Sequence, residues 1–154
     1  LQRWVGQSLL AMPDHPDDCF TNLTDIRDRA LHLVMQHEFG SDFCVPQDKF
    51  NYWECRLQKS NNKVISAIRG QHSLRIPSDR ALQIGLLQLL TGGAPGLESK
   101  AKSVSKDTYE MISAIHGLRN RKEHPGGQPV SESVAVATIM TCLALLDRLA
   151  NELT

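Results

Sequence analysis

Apolar residues recur at three- and four-residue intervals along almost the whole chain, and nowhere does a clean two-residue alternation compete with them. That interval puts side chains on one face of an α-helix, whereas a half-buried strand needs alternation. The spacing therefore predicts an all-α protein, a bundle of five to seven helices with essentially no strand.

Leu1 to Met12 reads as a helix stopped by Pro13, and Pro13-Asp14-His15-Pro16-Asp17-Asp18 as turn chemistry. A helix from Leu23 to Phe39 follows, with Gly40 as its C-terminal cap. Pro46 suits the first turn of the next, whose Phe50, Trp53 and Leu57 form a stripe before Ser60-Asn61-Asn62 interrupts it. A short helix, Lys63 to Arg69, ends at Gly70. Ser78 or Asp79 caps Ala81 to Leu90, apolar nearly all round and expected to be the central buried helix. Ser103 or Ser105 caps a long helix ending near Glu123. Pro125-Gly126-Gly127 breaks it, and a final helix spans about Ser131 to Leu153 with Val134, Ile139, Cys142, Leu143, Leu146, Leu149 and Leu153 on its apolar face.

At 154 residues and 41% hydrophobic composition, one domain with a real core is the expectation. Seventeen basic residues balance seventeen acidic ones, so no global field holds a polyanion and any nucleic-acid contact must be local. Cys19, Cys44, Cys55 and Cys142 form no Cys-x-x-Cys pair and read as buried free thiols, which fits an intracellular location in cytoplasm or nucleus. His32 and His37 lack the spacing of a helical zinc pair, and Gly92-Gly93-Ala94-Pro95-Gly96 is no phosphate loop because no Gly-Lys-Ser/Thr follows. Neither a metal nor a cofactor is implied. No signal peptide is evident, and the uninterrupted apolar runs near Leu143 are short for a bilayer, so no membrane partner is expected. Trp4, Trp53 and Tyr52 read as core or interface aromatics before base-stacking platforms. The start at Leu1, with no methionine, points to a domain whose partners include the rest of a longer protein.

Polar chemistry concentrates in Arg119-Asn120-Arg121-Lys122-Glu123-His124. Pro125 disfavours helical geometry at His124, which would leave that ring at a helix end. The negative end of the helix dipole favours imidazolium there, and the neighbouring cations oppose it, so the ring would titrate near neutrality. Arginine offers a charged fork matched to phosphate. A phosphate-binding arginine, a proton-transferring histidine and an amide donor are what metal-free RNA cleavage needs, since the 2′-hydroxyl supplies the nucleophile.

An all-α bundle carrying Arg, Asn, three more residues and His just before its last long helix resembles the HEPN domains. Their motif is an arginine, four to six residues, then a histidine, often with a polar residue after the arginine. The resemblance makes Arg119, Asn120 and His124 the candidate catalytic residues and implies a composite cleft across a homodimer. It also implies cutting of single-stranded RNA without metal, leaving a 2′,3′-cyclic phosphate. Arg121, Lys122 and His116 are the candidate RNA contacts, although a histidine on a mixed helix face also serves structurally. The chain departs from the family in having Pro125-Gly126-Gly127 where a tyrosine is common. Arg27 to His32 matches the same spacing, but it lies within an amphipathic helix with no break after it, and it reads as a surface arginine and an interfacial histidine. A catalytically inactive module for dimerisation, or for binding RNA or protein, is the alternative to the nuclease.

Overall fold

The computed structural model describes Gly6 and residues 16–57, 62–123 and 131–154, with the backbone alone for 16–22, 24 and 121–123. Six α-helices and one short 3-10 turn make up these residues, with no strand among them. The expected helix at Leu1 to Met12, apart from Gly6, lies outside the described residues.

Helix α1 spans Pro16–Phe39, beginning seven residues before the expected Leu23. Pro16-Asp17-Asp18 is helix rather than turn. A proline's fixed φ suits the first helical position, and acidic residues favour the first turn, so the same residues that mark a turn also open a helix. The helix closes at Gly40, whose φ of +79° and N–H bond to Gln36 make it the expected cap. Helices α2, Gln47–Leu57, and α3, Lys63–Arg69, follow. Asn62 caps α3 by accepting from Val64 N at 2.9 Å and Ile65 N at 3.3 Å. The 3-10 turn His72–Leu74 leads into a two-rung antiparallel pairing, Val45 N to Leu74 O and Ile76 N to Phe43 O, around an isolated Cys44–Arg75 bridge. Helix α4, Arg80–Leu90, is capped by Asp79 and buried at Ile84, Leu86, Leu87, Leu89 and Leu90. Gly85 admits close packing of α3, since a methyl there would lie 2.7 Å from Val64 Cγ2.

Helix α5 is Lys106–Glu123, with Ser105 Oγ accepting from Thr108 N. Ahead of it, the wholly buried Glu38 carboxylate receives the backbone N–H groups of Lys102, Ser103 and Val104 at 2.8–3.3 Å. Helix α6 is Glu132–Glu152, opened by Ser131. Its buried residues are Ala135, Thr138, Ile139, Cys142, Leu145 and Leu149. Ile139, Cys142 and Leu149 are buried as expected and Val134, Leu146 and Leu153 are half-buried, but Leu143 is 41% exposed and forms a solvent-facing apolar stripe with Val136 and Met140. When a helix is apolar nearly all round, its own pattern does not say which side the neighbours cover. By length and composition α6 could also cross a membrane, a test that the core helix of a water-soluble protein passes as well.

The chain divides into two compact units. One holds α1 to Ala30, α5 from Glu110, and α6; its buried residues include Leu23, Ile26, Ala30, Ile112, Ile115 and the α6 set above. The other runs Leu31–Tyr109 and is built on Val34, Met35, Phe50, Trp53, Ile68 and the α4 leucines.

Candidate functional site

Three candidate residues lie on one side of the last turns of α5. His116, Arg119 and Asn120 stand at i, i+3 and i+4, the spacing that stacks side chains along a helix face. All three are half-buried. Asn120 Nδ2 lies 3.1 Å from His116 Nε2. The other ring nitrogen, His116 Nδ1, is 3.0 Å from Nη1 of Arg27, 89 residues earlier in the chain. Arg121 and Lys122 belong to the final turn of α5, but their side chains lie outside the described set, and His124 lies outside the described residues altogether.

Arg27 overturns one expectation. It is no surface arginine: only 1% of it is exposed. Its Nε and Nη2 both reach Oδ1 of Asp28, at 2.9 and 2.5 Å, so its charge is partnered as a buried guanidinium requires. A signal was present in the sequence, because Arg27 falls four residues after Leu23 and four before Leu31, on the same stripe as Ala30 and Val34. A charged residue in an apolar register is the pattern to look for. His32, the other end of that spacing, is half-buried and packs against the Phe43 ring with centroids 5.3 Å apart.

The remaining candidates disperse. Trp53 is fully buried, and Tyr52 is engaged by Lys100 Nζ 4.4 Å over its ring while its hydroxyl accepts from Glu98 N. Trp4 lies outside the described residues. The expectation of buried thiols holds for Cys142 alone among those described, since Cys55 is exposed and Cys44 intermediate. Helix ends bring Cys55 to the surface: it faces away from the Phe50 and Trp53 side of α2.

What the arrangement offers is a fixed amide beside a guanidinium at a helix terminus, backed by a second guanidinium that is buried. No family model, curated protein or solved structure matches this chain.

Proposed function

We propose that this chain is a HEPN-like, metal-independent endoribonuclease. It cuts single-stranded RNA by attack of a 2′-hydroxyl on the adjacent phosphate, and it works inside the cell as a homodimer whose cleft takes Arg119 and His124 from both copies. His124 moves the proton, Arg119 stabilises the charge developing on the phosphate, and Asn120 orients the phosphate. Arg121 and Lys122 add local attraction for the backbone.

One observation carries the reading. Asn120 is held in a hydrogen-bonded chain with His116 and the buried Arg27, beside Arg119 on the same side of α5. A group that positions a reacting phosphate needs such support to keep its geometry. The buried face of α6 supports a water-soluble rather than a membrane setting, because Ala135, Ile139, Cys142, Leu145 and Leu149 are already covered by protein.

The test is cleavage of labelled single-stranded RNA in chelator, by the wild-type chain and by His124→Ala. A cyclic-phosphate product that falls by about 100-fold or more in the variant is expected. An undiminished rate in the variant removes His124 from the mechanism. The second reading, a catalytically silent module for dimerisation or for binding within a larger protein, is favoured by the exposed Val136, Met140 and Leu143. Absence of product between pH 5 and 9 from a folded wild-type dimer would select it.

A further inference from the structure

The atoms around His116 restrict where its proton can be. A guanidinium has N–H donors and no acceptor, so Nη1 of Arg27 at 3.0 Å requires an unprotonated, accepting Nδ1. An imidazole whose Nδ1 accepts carries its single proton on Nε2. That nitrogen is 3.1 Å from the Asn120 amide, and an N–H facing it needs an oxygen there. The amide must therefore present Oδ1 to Nε2–H, which a half-turn about its last torsion achieves. The Nδ2 of Asn120 is then turned away from the ring. A doubly protonated ring would set a donor against Arg27, so this packing opposes it.

We infer that Arg27 is a positioning residue: it fixes the tautomer of His116, and through the ring it fixes which end of the Asn120 amide points outward as donor. Asp28 completes the relay by holding the guanidinium through Nε and Nη2, leaving Nη1 aimed at the ring. His116 thus transmits orientation rather than protons. The part of this inference that concerns RNA rests on the proposed nuclease; the tautomer does not.

The experiment is nitrogen NMR of the whole chain labelled at histidine, read at pH 7.5. In the wild type, His116 is expected to show Nδ1 as the acceptor-type nitrogen and Nε2 as the protonated one. A proton on Nδ1, or an even mixture of tautomers, overturns the inference whatever the chain does to RNA. In Arg27→Met, which keeps bulk without donors, the preference is expected to relax toward a mixture; retention of the full preference in that variant also overturns it. Arg27→Lys, which restores one donor, should recover part of it. If Arg27→Met does not fold, the wild-type spectrum and Arg27→Lys still decide. On RNA, Arg27→Lys should lower kcat by roughly 10-fold with KM little changed, and a change confined to KM would count against a positioning role. A wild-type chain that shows the expected tautomer and cuts nothing refutes the nuclease and leaves Arg27 in place.

Discussion

Arg27 is the residue on which local stability and the candidate site meet. Replacing it with Met removes the Arg27 donor to His116 Nδ1 and sets a thioether in its place, which should cost about 1–3 kcal/mol in urea unfolding. Asp28→Asn keeps an accepting oxygen but takes the countercharge from a guanidinium that is only 1% exposed, and should also cost about 1–3 kcal/mol. Lys49 is the opposite case. Its ammonium has no hydrogen-bond partner among the described residues and sits 3.9 Å from Glu38. Burial pushes its pKa below 10.5, Glu38 works against that, Lys102 adds to it, and Asp48 opposes it. A base whose pKa is lower when folded binds fewer protons in the folded state, so its penalty is full below the folded pKa and disappears as pH rises through 10.5. Lys49→Met should therefore stabilise the protein at pH 7, by an amount that shrinks by pH 10. An advantage that is constant across that range would show that burial of the ammonium is not its source.

At the scale of single helices, local chemistry was readable wherever it was self-contained. Gly40, Gly70, Asp79 and Ser105 terminate helices where their residue types imply, because a cap depends on a few neighbouring atoms. Asn62→Ala and Asp79→Ala should each cost about 1 kcal/mol by chemical denaturation. What failed depended on distant surroundings: the start of α1, where proline and aspartate suit both a turn and a helix, and the exposure of Leu143 at the edge of the α6 face. The division of α6 into covered and exposed sides is testable. Leu145→Ala should destabilise by about 2–5 kcal/mol, while Met140→Lys should stay within about 0.5 kcal/mol. A severe loss from Met140→Lys would mean that this stripe is covered, by lipid or by another chain.

For the molecule as a whole, the fold class was legible because helical periodicity is written into every segment. Half of the candidate site was legible for the same reason, since Arg119 and Asn120 are adjacent and one turn from His116. The apolar register of Arg27 signalled its burial, but its link to His116 was not legible, because no local rule joins two residues 89 positions apart. The proposed homodimer belongs to this scale: the whole chain is expected to sediment as a dimer at micromolar concentration, and a strictly monomeric chain would remove the proposed shared cleft.

Graded burial of the cysteines turns the protein into its own stopwatch. A thiol reagent added to the native chain should modify Cys55 at once, whereas Cys142, on the buried face of α6, should wait for that helix to lift. The delay between the two reactions then times the breathing of the compact unit that also carries His116 and Asn120, with no substrate needed to see it.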